Sequence, residues 1–284
     1  MKKLVLILSL LLFAQQSFAF DWNFWNSDDE KTIRKFLKSQ VSYANKSDFN
    51  KFISTYAPNY INSDGFNLDV YSSLVKDIWN TYDDIKYGID IKNITIDNDC
   101  AKVELLETAY ANIKVSKAYN GELKSESNTI YNLKKIDGKW KVVSDEVLDE
   151  TTSMLYGDAR DLEIKLTVPN NVNADTEYTA SLEFLPPCGT IAIASIASDK
   201  VEYPQKPTKE VFRPMPEDHI LERLFTSNSD NLNEYIVASI GLTRTAIDEE
   251  NIKLNLTGFG YAIKRVNVIP APKKEVLGEI DVKN

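Results

Sequence analysis

Apolar and polar positions change period twice along this chain. Ile33, Phe36, Leu37, Val41 and Ala44 recur at three- and four-residue steps, the spacing of one helix face. Ahead of them, Ser27-Asp28-Asp29-Glu30 reads as a capping box, Ser27 serving the first helical N–H groups and Glu30 reaching back. The aromatic stretch Phe20–Asn26 before it fits neither period. Asp48 opens a short helix with Phe49, Phe52, Ile53 and Tyr56 on one face, stopped by Pro58. Asn67 caps a third helix carrying Tyr71, Leu74, Val75, Ile78 and Tyr82.

From Ile85 the period drops to two. Ile85, Tyr87, Ile89 and Ile91 alternate, and after Asn93 the apolar phase moves to Ile94 and Ile96, which predicts a bulge or sharp bend. Asp97-Asn98-Asp99 turns the chain into three long strands, about Ala101–Val115, Ser127–Ile136 and Lys139–Asp149. Asp137-Gly138 joins the last two as a two-residue hairpin. Helices followed by an antiparallel sheet predict an α+β unit, because strands of this length need a helical layer over one face.

The second period change is near Arg160. Beyond it short alternating segments follow at Leu162–Val168, Thr176–Phe184, Thr190–Ala197, Glu210–Arg213, Ile220–Thr226, Glu234–Thr243, Asn251–Thr257 and Tyr261–Ile269. Strand-only patterning with Gly, Pro and Asn punctuation predicts an all-β sandwich, Ig-like in the loose architectural sense. It lacks a Cys–Trp–Cys core, holding Cys188 and no Trp. The expected division is 1–19 signal peptide, 20–159 first domain, 160–270 sandwich and 271–284 flexible tail, with the boundary at Gly157–Arg160.

The N-terminus adds a compartment. Met1-Lys2-Lys3, the apolar run Leu4–Ala14 and Ser17-Phe18-Ala19 have the layout of a bacterial secretory signal cut after Ala19. The apolar run is too short to span a bilayer, so no stable membrane insertion is expected after cleavage. The chain is then periplasmic or secreted. The formal charge is −9, and losing Lys2 and Lys3 makes it more negative still. Such a surface repels phosphate backbones, so no nucleic-acid partner is expected. Export permits a disulfide, and a Cys100–Cys188 bond or two buried free thiols are the alternatives.

Residues 29–150 resemble the NTF2-like (SnoaL-like, cystatin-like) domains. The resemblance is carried by Ser47-Asp48-Phe49-Asn50-Lys51-Phe52 after the first helix, Tyr56-Ala57-Pro58-Asn59-Tyr60, Asp64-Gly65, and the terminal pair Tyr131-x-Leu133-x-Lys135-x-x-Gly138-Lys139-Trp140-Lys141-Val142. It implies a curved antiparallel sheet that wraps the long helix into a cone with an apolar pocket. It also implies a family of isomerases, dehydratases, ligand binders and protein-binding modules, among which fold does not choose.

The chemistry is sparse. His219 is the single histidine and sits in Pro216-Glu217-Asp218, a surface loop, so His-based metal sites and Asp–His dyads are excluded. No metal or cofactor is expected. Gly258-Phe259-Gly260 reads as a turn between strands, with no helix after it to make a nucleotide motif. Strict alternation sets Val103, Leu105, Glu107, Ala109, Ala111 and Ile113 on the inner face of the first long strand, unless the register slips at Leu105-Leu106. Glu107 is therefore the candidate catalytic carboxylate, desolvated in the cone. Trp79, Tyr82, Tyr87, Glu107, Tyr110 and Tyr131 are the candidate pocket residues. The reading is an exported, non-catalytic binding or interaction protein for a small apolar ligand or another envelope protein, with a homodimer through the NTF2-like sheet as a further arrangement. The alternative is an isomerase- or dehydratase-type enzyme with Glu107 as base.

Overall fold

A computed structural model describes residues 22–114, 120–206, 209–248 and 251–270. The signal peptide and tail expected at 1–19 and 271–284 lie outside them. Among the described residues no helix is long and apolar enough to cross a membrane.

The first half runs α1 (Trp22–Ala44), α2 (Phe49–Ile53), α3 (Leu68–Thr81), then β1 (Lys86–Asp97), β2 (Cys100–Lys114), β3 (Asn120–Ile136) and β4 (Lys139–Gly157). Its local signals are realised at α2, α3 and the hairpin. Asp48 accepts from the Lys51 N–H at 3.3 Å, and Asn67 from the Val70 N–H at 3.0 Å. Asp137 and Gly138 both take positive φ, as a hairpin turn of this length requires. The β1–β2 register shifts between Ile91 and Asn93, at the expected phase change. The capping box is corrected. α1 already begins at Trp22, so Ser27 lies inside the helix and has no helix start to cap.

One core fills the space between α1 and the sheet. Ile33 and Leu37 on α1 meet Val103 and Leu105 on β2 and Val142 on β4. Trp140 is only 3% exposed, with the Lys135 ammonium 5.0 Å from its ring centroid.

The second half contains β5 (Lys165–Thr167), β6 (Asn171–Asn173), β7 (Glu177–Glu183), β8 (Thr190–Lys200), β9 (Arg213–Pro214), β10 (Ile220–Thr226), β11 (Glu234–Asp248) and β12 (Asn251–Ile269). A three-stranded sheet, β10-β7-β5, shares a second core with β8, β11 and β12. That core includes Leu166, Leu182, Ile196, Ile236, Leu242 and Val266.

The two halves have a sheet in common. Its order is β1-β2-β3-β4-β12-β11-β8-β9, with Thr151–Gly157 of β4 antiparallel to Gly258–Lys264 of β12. Gly258-Phe259-Gly260 is accordingly not a turn but the middle of one long strand. Its glycines serve close approach. A Cβ on Gly258 would meet the Ala159 nitrogen at 2.5 Å, and one on Gly260 the Met154 carbonyl oxygen at 2.9 Å. Phe259 between them stacks on Tyr156, ring centroids 4.3 Å apart. Cys100 and Cys188 are both free and both exposed, which corrects the bonded and the buried alternatives alike: each sits on the solvent side of its segment.

Candidate functional site

The site grows from β4. Its register against β3 shifts twice, between Asn132 and Leu133 and between Asn128 and Thr129. Leu133 pairs with Val142 but Asn132 with Ser144, and Thr129 pairs with Val147 but Asn128 with Asp149. Val143 and Leu148 are thus extra residues, and each reverses the side-chain phase. Trp140 and Val142 face the core before the first bulge, and Asp145 is turned inward after it. The second bulge turns Glu150 inward.

Glu107 on β2 reaches the same space by unbroken alternation, with no slip at Leu105-Leu106. Tyr131 and Thr129 come from β3, and Tyr71, Leu74 and Ile78 from α3. The second half completes the wall with Val201 and Tyr203 after β8, Tyr235 on β11 and Arg265 on β12. The cavity is open to solvent on one side and is about 570 Å³. Beside it lies a smaller chamber of about 140 Å³ between the helices and the sheet, walled by Phe52, Val75, Trp79, Tyr87 and Ile89. Tyr71, Leu74, Ile78, Glu107 and Tyr131 line both.

Phenols hold the carboxyl groups. Tyr60 donates to Asp145, Tyr131 donates to Glu107 at 2.7 Å, and Tyr235 donates to Glu150 at 3.0 Å. Burial drives all three acids upward. Asp145 rises to about 7, burial outweighing the Tyr60 hydrogen bond, with nearby Glu107 adding repulsion. Burial raises Glu107 and Glu150 in the same direction against their hydroxyl donors. Burial also lifts the Tyr60 and Tyr131 phenols far above their ordinary value, so both keep their protons and act as donors.

The cation of the wall is engaged within the wall. Arg265 forks onto Asp64 at 2.5 and 3.1 Å, and its Nε donates to Asn267 at 2.7 Å. The two side chains are 1% and 6% exposed. Burial works against the guanidinium, but the hydrogen bonds and charge of Asp64 outweigh it and keep it protonated. Asn233, just before β11, also donates to Asp64 at 2.7 Å. Asp64 of the first half is thus clamped by two residues of the second.

Of the residues singled out in the sequence, Trp79 and Tyr87 line the inner chamber, Tyr82 the outer one, and Glu107 and Tyr131 both. Tyr110 does not join them. It lies between the inward Ala109 and Ala111, so alternation turns it to the other face, where it is 40% exposed and donates to Asn112 at 2.9 Å. Asp145, Glu150, Tyr235 and Arg265 are not singled out in the sequence, Tyr71 shows there only as part of a helix face, and Asp64 only as part of a turn. His219 sits in a turn with positive φ and is not part of either wall. Among the described residues no group of His, Cys, Asp and Glu side chains is arranged to hold a metal.

No protein-family model matches the chain, and no curated protein does. Solved structures similar to part of it exist. One is Bd1075 of Bdellovibrio bacteriovorus, 17% identical, with 41% of this chain covering 40% of that one at a TM-score of 0.36. This chain thus spans well under half of Bd1075. A conserved protein from Planctomyces limnophilus is 13% identical over 42% of this chain and 94% of its own, TM-score 0.38. An NTF2-like protein of unknown function from Pseudomonas putida is 14% identical over 43% and 86%, TM-score 0.31.

Proposed function

We propose that this chain is an exported, non-catalytic binding protein. In this reading an NTF2-like cone holds a small molecule at its mouth, and an appended Ig-like sandwich closes that mouth. The periplasm or the extracellular space is its compartment. The observation that carries the reading is a cavity walled by both halves, with Glu107, Tyr131 and Asp145 on one side and Tyr203, Tyr235 and Arg265 on the other. A concave site with a few polar groups over an apolar floor is the usual form of a small-molecule site. Each acid is tied to a phenol that keeps its proton, an arrangement suited to receiving hydrogen bonds from a guest.

The test is a thermal-shift screen of small molecules on the full chain beside Leu74→Trp, since Leu74 lines both chambers. Ligands that raise the melting temperature of the wild type should lose that effect when the indole fills the space. Hits that stabilise both equally would sink the cavity as the binding site.

An acid–base enzyme is the second reading, favoured by one observation: burial brings Asp145 to about 7, where a carboxyl can both give and take a proton. In that case Glu107→Gln or Asp145→Asn would abolish turnover of a bound compound while leaving its binding intact.

A further inference from the structure

We infer that the cavity takes an amphipathic amine, its ammonium head among Glu107, Asp145 and Glu150 and its apolar tail in the chamber beside it. The inference rests on the cavity being the binding site, as proposed above, and adds the chemical class of the guest.

The two chambers differ in kind and are continuous in wall. The inner one is lined mainly by hydrocarbon and ring surface, including Phe52, Val75 and Ile89, with Gln40, Glu107 and Thr108 as its polar members. The outer one gathers the carboxyl groups. Glu107 stands where they meet. A guest that fits both needs a tail without polar atoms and one polar end.

Charge decides the sign of that end. Among the described residues Arg265 is the one cationic side chain in the outer wall, and its three nitrogens are already bonded to Asp64 and Asn267. Asp64 is its ion-pair partner. Glu107, Asp145 and Glu150 are therefore left with hydroxyl donors and no counter-ion of their own in the wall. Asp145 is buried and Glu107 and Glu150 are half-buried, and a carboxyl group so placed without a cation gains from protonation or from a cationic partner. A carboxylate has room for about four hydrogen bonds, and an ammonium brings three donors and no acceptor. The Tyr71, Tyr82 and Tyr131 rings in the same wall add faces that attract a cation. An alcohol supplies one donor and no charge, while a carboxylate guest would be repelled. The incoming ammonium stabilises the ionised acids, so binding near neutral pH releases protons from them.

The experiment is titration calorimetry of the full chain at pH 7 with hexylamine, hexan-1-ol and hexanoate, in two buffers of different ionisation enthalpy. Wild type, Leu74→Trp and the pair Glu107→Gln with Glu150→Gln are compared. Hexylamine should bind at least about tenfold tighter than the other two, and the double amide variant should lose about that factor for the amine alone. The buffer dependence should show net proton release. Should the amide variant fail to fold, the wild-type preference among the three compounds still decides. If hexan-1-ol or hexanoate binds as tightly as hexylamine and Leu74→Trp abolishes it, the amine class is overturned and the cavity reading stands. If none of the three shows binding that Leu74→Trp abolishes, the cavity reading fails and this inference with it.

Discussion

Two buried carboxyl groups in this protein live under opposite conditions. Glu234, at the start of β11, is 3% exposed and receives the Tyr178 hydroxyl at 2.5 Å, the Ser198 hydroxyl at 3.1 Å, and the Asn228 backbone and amide N–H at 2.8 and 2.7 Å. Asp145 is 9% exposed and, among the described residues, takes one side-chain hydrogen bond, from Tyr60. The first is saturated by its surroundings and lines neither chamber; the second lines the outer one. Burial is common to both, so burial alone does not separate a structural acid from one free to act. Unfilled acceptor capacity beside a cavity does.

The comparison breaks most visibly at Glu234. Glu234→Leu strands the donors of Tyr178, Ser198 and Asn228 inside the second half and should cost about 4–5 kcal/mol. Urea unfolding would read it, and a loss under about 1 kcal/mol would mean that Glu234 is no more structural than Asp145. Next comes Arg265, the cation that gives Asp64 what Asp145 lacks. Arg265→Leu leaves Asp64 unpaired and should cost about 3–4 kcal/mol. An unchanged denaturation midpoint would show that the clamp between the halves contributes little.

Asp145 should respond with the opposite sign. Its folded value of about 7 lies above the ordinary 3.8, so the folded state prefers the protonated form. The stability it contributes is full below about pH 4 and lost as pH rises through 7. Asp145→Asn removes that loss and should be more stable than wild type by about 1–2 kcal/mol at pH 8, the gap closing toward pH 4. Parallel urea titrations at several pH values test this; a gap independent of pH would contradict the assignment. The smallest effect belongs to Glu107→Gln. Its amide oxygen can still accept from Tyr131, so stability should stay within about 1 kcal/mol of wild type. A large loss would put Glu107 with Glu234, among the structural acids.

Local chemistry in the sequence specifies a good part of this. Asp48, Asn67 and Asp137-Gly138 act within a few residues of themselves, so α2, α3 and the β3–β4 hairpin are legible one at a time. Glu107 is legible because β2 alternates without a bulge against β3. Asp145 is not, because Val143 is an ordinary strand former and nothing local marks it as a bulge residue; Glu150 regains the phase of Trp140 after the second bulge but lies past the expected strand end at Asp149. Counting in twos from Trp140 turns Asp145 to the wrong face. Asp64 and Arg265 are 201 residues apart, and neither has a local sign of the other. Gly258 and Gly260 show a different limit. Glycine signals a turn and a close strand approach alike, and only the neighbouring strand tells which.

That neighbouring strand also sets an order of events. Thr151–Gly157 of β4, with Leu155 and Tyr156 among them, waits for Gly258–Lys264, about a hundred residues later in the chain. A chain delivered N-terminus first therefore carries an open sheet edge, an invitation to foreign strands, until β12 has arrived. The strand that seals this edge is the one that brings Arg265 to Asp64. Protection from self-association and completion of the cavity thus come together when β12 pairs with β4. A fragment ending at Asp161 should accordingly self-associate in sedimentation experiments where the full chain does not, and a monodisperse fragment would show that the edge is guarded in some other way.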